Sequence, residues 1–115
     1  MSDSCIFCKI IEKRIPSKVL YEDDLSAAFE DVNPQAPVHI LIVPKKHIAD
    51  IHSILETDKE LIGHLFVVAS KIAAQKGLDK AGYRMVINNG PGAGQTVFHI
   101  HLHLLSGRRF GWPPG

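Results

Sequence analysis

The last quarter of the chain carries a strict alternation, His99-Ile100-His101-Leu102-His103, followed by Leu104-Leu105. A period of two is strand spacing, because successive side chains of a β-strand point to opposite faces. The pattern predicts a strand over His99 to Leu105 that buries Ile100, Leu102 and Leu104 and lines its other face with three imidazoles, about 7 Å apart. The apolar run His39-Ile40-Leu41-Ile42-Val43 predicts a central strand. Val19 to Glu22 and Ser26 to Asp31 predict an antiparallel pair around an Asp23-Asp24 turn, and Tyr83 to Asn88 completes the strand set. Asn33-Pro34-Gln35-Ala36-Pro37 reads as a rigid loop.

Helical spacing appears twice. Ser4 is expected to cap a short helix over Cys5 to Lys13 that Pro16 stops. Thr57 followed by Glu60 has the capping-box spacing for a main helix from Asp58 to Lys76, which Gly77 can close in a left-handed conformation. Leu61, Leu65, Val68 and Ile72 form one stripe of that helix, and Ile62, Phe66, Ala69 and Ala73 form a second. One stripe can cover the sheet, while the other meets a second copy of the chain or joins a deeper core. These elements define an α+β fold: an antiparallel sheet of about five strands with helices on one side, one of them long and one short and N-terminal.

With 115 residues and a formal net charge of +1, residues 1–115 read as one domain without the basic stripe that nucleic-acid binding by long-range electrostatics requires. The expected partner is a small molecule. No apolar run approaches the length of a membrane span, and Asp3, Lys9, Glu12 and Lys13 disagree with the layout of a signal peptide, so the chain reads as cytoplasmic. Cys5 and Cys8 stand three apart, which in a reducing compartment argues against a structural disulfide. Such a C-x2-C pair supplies half of a tetrahedral zinc site; the plainer alternative is two half-buried thiols on a short helix. No βαβ pattern surrounds the pair, so a thioredoxin-type redox role is not expected. His52 and His64 match no motif.

Three imidazoles on one strand suit either metal ligation or nucleophilic and acid/base work on phosphorus. The preceding loop, Asn89 to Thr96, has Gly90, Gly92 and Gly94 followed by the Thr96 hydroxyl, so its backbone can approach a phosphate and offer N–H donors. Alone, such a loop is no more than a flexible connection. A metal-dependent phosphohydrolase using His99, His101 and His103 as ligands is the main rival on bare chemistry. Catalytic metal sites of that kind usually recruit a carboxylate, and none stands in or beside the triad. A nucleotide-binding module with incidental catalysis is the third class.

Gly94-Gln95-Thr96-Val97-Phe98-His99-Ile100-His101-Leu102-His103-Leu104-Leu105 closely resembles the signature of the histidine triad (HIT) family of nucleotide hydrolases and transferases. The resemblance extends to Ile15-Pro16-Ser17, Tyr21-Glu22-Asp23, Asp31 to Pro37, His39 to Lys45 and Trp112-Pro113-Pro114-Gly115, which look like the Hint branch, the histidine triad nucleotide-binding proteins. The Ser106-Gly107-Arg108 and Trp112 to Gly115 ending favours that branch over the dinucleoside polyphosphate hydrolases.

The resemblance implies a HIT-like fold and a purine nucleoside phosphoramidase that splits the P–N bond of an adenylated amine. By carry-over His101 is the nucleophile, His103 contacts the phosphate oxygens, and His99 and His39 complete the catalytic set. Asp31 accepts hydrogen bonds from the ribose and Val32 frames the purine, although an Asx turn ahead of Asn33-Pro34 is a common use of such an Asp. Asn88, Gly94, Gln95 and Thr96 surround the α-phosphate. Thr96 departs mildly from a frequent Ser but keeps the hydroxyl. Related proteins with a similar cysteine pair bind a structural zinc, here through Cys5, Cys8, His47 and His99; no metal is required for the chemistry itself. The resemblance further implies a two-fold homodimer in which Trp112 lies near the partner's leaving-group site.

Overall fold

Five strands form one sheet, β1 (Val19–Glu22), β2 (Ser26–Glu30), β3 (Val38–Pro44), β4 (Arg84–Val86) and β5 (Leu102–Ser106), in the order β1-β2-β3-β5-β4 with every neighbouring pair antiparallel. The computed structural model describes residues 4–115, so Asp3 of the N-terminal charge pattern lies outside them. Among the described residues, two α-helices, α1 (Ile6–Ile11) and α2 (Lys59–Gln75), cover the sheet.

They cover opposite faces, not the same one. Leu65, Val68, Ala69 and Ile72 of α2 pack with Ala28, Ile40, Ile42, Leu102 and Leu104. Phe7 and Ile10 of α1 pack with Ala27, Phe29, Leu41 and Val43. Alternation along β2 and β3 thus feeds two cores, which is why β3 is apolar at consecutive positions: a strand covered on both faces has no solvent side. His39 and Leu41 share the α1 face, and pairing sets Leu41 opposite His103.

The helix ends differ from expectation in instructive ways. Cys5, not Ser4, is the N-cap of α1, its Sγ accepting from the Cys8 N–H at 3.3 Å. The chain leaves α1 through Lys13 at φ 63°, before Pro16 is reached. At α2 the capping contact is made by Asp58, whose Oδ2 accepts from the Leu55 N–H at 2.9 Å while Lys46 Nζ donates to Oδ1 at 2.6 Å. A 3-10 turn over Glu56–Asp58 therefore precedes the helix, and the Thr57/Glu60 box is not used. Gly77 closes the helix at φ 69° as expected. Of the second stripe, Ala69 and Ala73 join the core, whereas Phe66 is 46% exposed. No helix is long and apolar enough to cross a membrane among the described residues.

Strand β4 spans only Arg84–Val86, and β5 begins at Leu102. His99 and His101 thus precede the regular strand, with bends at residues 97–99. That bend reshapes the site.

Candidate active site

Because the chain turns at residues 97–99, the three histidines do not face one cleft. The His99 ring is fully buried, its Nε2–H donating to the Pro44 carbonyl at 2.8 Å and its Nδ1 turned to the cysteines. Both nitrogens are committed there, so His99 cannot share a metal with His101 and His103, and the three-histidine metal centre is corrected. His101 and His103 remain together, ring centroids 4.8 Å apart, and His39 joins them from β3 at 5.2 Å from His103.

Hydrogen-bond partners assign the tautomers in this second cluster. The Gln35 N–H donates to His39 Nδ1 at 3.0 Å, so the His39 proton resides on Nε2. That Nε2–H donates to His103 Nδ1 at 2.9 Å, with Asp31 Oδ2 at 3.4 Å, leaving His103 with a free Nε2–H. His101 Nδ1–H donates to the His99 carbonyl at 2.8 Å, leaving the Nε2 lone pair unspent. One ring therefore offers a nucleophile and its neighbour a donor. Asp31, His39 and His103 bring three ligand-type atoms within 4.8 Å of one another. A metal there would need the His39 Nε2 lone pair while Nδ1 still accepts from Gln35, which only an imidazolate provides.

Burial lowers the pKa of all four imidazoles, and it is the leading cause for each. His99 and His103 are pushed down to about 4, with neighbouring imidazoles adding to the effect. His39 is lowered by burial although Asp31 opposes the shift, and His101 is lowered although its bond to the His99 carbonyl opposes it. Neutral rings at pH 7 are the form that can attack phosphorus.

Around His99 the arrangement is of another kind. Cys5 Sγ and Cys8 Sγ lie 3.5 and 3.6 Å from His99 Nδ1, Cys8 Sγ lies 3.4 Å from His47 Nδ1, and the two Nδ1 atoms are 3.1 Å apart. A tetrahedron with Zn–S of about 2.3 Å and Zn–N of about 2.0 Å has edges of about 3.3 to 3.8 Å, so these four atoms stand close to the corners of one. The His99 Nε2–H bond to Pro44 fixes the tautomer that frees Nδ1 for a metal. These residues fit a zinc ion.

Of the remaining expected residues, Asp31 does make the Asx turn, its Oδ1 accepting from the Asn33 N–H at 2.8 Å, while Oδ2 faces His39. Val32 is 97% exposed and Trp112 85% exposed. The apolar surface against His101 comes instead from Phe7, whose ring meets it edge-on at 5.1 Å and also meets Phe29 at 5.3 Å. The Gln95 side chain is buried and braces its own loop, accepting from the Gly90 N–H at 2.8 Å and donating to the Ala49 and Val97 carbonyls. Gly90 and Gly94 have φ of 88° and 97°, and a Cβ on Gly94 would lie 3.9 Å from the Asn88 amide. Thr96 is exposed and lines a cavity of about 430 Å³ with Cys5 and His47. His64 donates no chemistry here: its Nε2 pairs with Asp23 at 2.7 Å, clamping α2 to the β1–β2 turn. Phe7 and the Gln35 amide escaped sequence reasoning, the first because an aromatic on a short helix reads as core, the second because every residue but proline carries an N–H.

A five-stranded antiparallel sheet presenting a relay of neutral imidazoles defines a class of histidine-centred site. The HIT domain family model matches residues 12–110, and the chain belongs to that family. It is 53% identical over 112 residues to a 14 kDa zinc-binding protein of Zea mays, covering 96% of this chain and 87% of that one. The crystal structure of a HIT family hydrolase from Legionella pneumophila superposes with a TM-score of 0.95 at 51% identity, covering 97% of this chain and all of that one. A histidine triad nucleotide-binding protein from Candida albicans superposes at 0.83 with 38% identity, covering 96% and 83%.

Proposed function

We propose that this protein is a nucleotide hydrolase of the Hint branch that cleaves the P–N bond of purine nucleoside 5′-phosphoramidates. The observation that carries the reading is the His101 tautomer: with Nδ1–H held by the His99 carbonyl at 2.8 Å, the Nε2 lone pair is the free one. His101 Nε2 attacks the α-phosphorus, the P–N bond breaks, and the amine leaves carrying a proton taken up from solvent. The Nδ1–H stays on the ring and shares the positive charge of the nucleotidyl-histidine with the carbonyl. Water then attacks the same phosphorus, breaking its bond to Nε2 and returning one proton to solvent, which gives back free His101 and the nucleoside monophosphate. The His103 Nε2–H donates to the non-bridging oxygens as charge gathers on them, and Asp31 Oδ2 accepts from the ribose. Backbone groups around Asn88 and Gly94 and the Thr96 hydroxyl serve the same phosphate.

Cys5, Cys8, His47 and His99 would hold a structural zinc. Its contribution would be to tie α1 to the sheet; the maize relative is named as zinc-binding. Two copies are proposed to pair about a two-fold axis through the open edge of β4 and the exposed Phe66 and Val67 of α2, bringing Trp112 to the partner's leaving-group side. Sedimentation at micromolar concentration is expected to give a dimer, and a monomer alone would discard this arrangement. The experiment on the reaction itself is hydrolysis of adenosine 5′-phosphoramidate in EDTA under conditions that leave any zinc bound. Release of AMP and ammonia with a trappable adenylyl-histidine is expected; turnover without such an adduct would refute the covalent route.

A further inference from the structure

The tautomer relay begins outside the histidines, on the main chain of Gln35, and that residue is held from the far end of the chain. Arg108 Nε donates to the Gln35 carbonyl at 3.0 Å, while the N–H of the same Gln35 donates to His39 Nδ1 at 3.0 Å. The guanidinium is itself fixed: one Nη donates to the Arg109 carbonyl at 3.0 Å, and its carbon sits 4.3 Å from the centre of the Phe110 ring. The turn that delivers it is tight against the same loop. Gly107 has φ 94°, and a Cβ there would stand 2.8 Å from Pro37 Cβ. Within the loop, Gln35 Nε2 donates to the Asn33 carbonyl at 3.1 Å and the Asn33 N–H donates to Asp31 at 2.8 Å.

We propose that Arg108 is a positioning residue: by holding the Gln35 main chain it keeps His39 in the Nε2–H tautomer that orients His103. The alternative tautomer shows why this matters. With the proton on His39 Nδ1, the Nε2 lone pair would face both Asp31 Oδ2 and the His103 Nδ1 lone pair. His103 would then have to move its own proton to Nδ1 and present a lone pair, not an N–H, to the anionic phosphate. A loop whose Asn33, Pro34 and Gln35 are exposed does not hold one amide in place by burial. The Arg108 bond and the Gly107 contact supply the constraint from outside.

The inference rests on the phosphoramidase reading only for its kinetic arm. The test compares Arg108→Met, which keeps the stem and removes the donor, with Arg108→Gln, whose Nε2–H lies the same number of bonds from Cα as the arginine Nε. In histidine-¹⁵N-labelled protein, wild type and Arg108→Gln are expected to show His39 as one tautomer, with Nδ1 unprotonated. Arg108→Met is expected to show both tautomers. On adenosine 5′-phosphoramidate kcat of the Met variant should fall about fivefold, with AMP affinity within about twofold and the Gln variant close to wild type. An Arg108→Met protein whose His39 stays in one tautomer overturns the proposal whatever its activity. Mixed tautomers with unchanged kcat overturn it as a catalytic device. A wild type with no turnover refutes the phosphoramidase instead, while the nitrogen spectra still decide the role of Arg108.

Discussion

The clusters on either side of Phe7 use the same ring for opposite purposes. Around His99, lone pairs converge: two thiols and two Nδ1 atoms meet at 3.1 to 3.6 Å. Such a group gains its energy from a cation placed among them and gives protons up when one binds. Around His103, donors and acceptors alternate in a chain from Gln35 through His39, and the two free ends are one N–H and one lone pair. That arrangement is satisfied without a metal, and in the proposed reaction its free ends meet the phosphate. The two regions meet at the His99 carbonyl and at Phe7, whose ring lies 5.9 Å from His99 and 5.1 Å from His101. Proximity along the chain therefore says little about shared chemistry; the atom each ring spends on the backbone decides it.

The largest effect that can separate the regions is expected from His101→Ala. Loss of the only unspent imidazole lone pair in the second cluster should lower turnover of adenosine 5′-phosphoramidate by about a thousandfold or more. Zinc content and AMP affinity should stay near wild type. Retained activity would move the nucleophile elsewhere.

Cys8→Ser should produce the converse. Cys8 is fully buried and its Sγ faces both His47 and His99. Zinc in protein purified without chelator should drop from about one equivalent to below about a tenth, and the melting temperature should fall by several degrees. Turnover should remain within about threefold, because no step of the proposed reaction passes through the thiols. A collapse of activity matching His101→Ala would mean that the two clusters act as one.

Strand positions and the central place of β3 were legible in the sequence because burial writes itself as apolar pattern. Ile100, Leu102 and Leu104 are buried as the alternation requires. The split of the triad was not legible, since a bend at residues 97–99 leaves the alternation intact while rotating His99 to the cysteines. The opposite placement of the helices was available in principle: β3 is apolar at consecutive positions, which a one-sided sheet does not need. Capping is by Asp58 in place of Thr57, with the Asp58 carboxylate also paired to Lys46, a contact that periodicity does not reveal. The resemblance assigned a nucleophile; only the hydrogen bonds say which nitrogen is free.

Acidification offers a graded test on the metal-free protein. His99 and His103 have folded pKa values lowered to about 4 by burial, against about 6.5 in an unfolded chain. Between those values the unfolded chain binds more protons, so stability should fall as pH drops from about 6.5 toward 4, by a few kcal/mol in all. Asp23 adds a second loss further down: burial raises its pKa, but bonds from His64, the Leu25 N–H, Tyr21 and Ser26 outweigh this and hold it well below the usual carboxylate range. Its contribution is present above about pH 4 and is lost below. Melting curves of His103→Phe, which removes one of the four lowered rings, should show a shallower fall between pH 6.5 and 4. An unchanged slope would mean that the ring is not held neutral by burial.

Thr96→Val should give the smallest effect and locate the boundary most finely. The residue follows the buried Gln95 brace and lines a cavity with Cys5 and His47, yet the family resemblance gives its hydroxyl to the phosphate. Valine keeps the branched shape and removes the O–H, so only the hydrogen bond is tested. If that bond forms as charge develops on the phosphate, kcat should fall about fivefold to tenfold, the worth of one neutral hydrogen bond, with KM and zinc content little changed. If turnover holds while zinc affinity moves, Thr96 belongs to the thiol side. The border between the two regions then runs between Thr96 and Gly94, on the far side of the Gln95 brace.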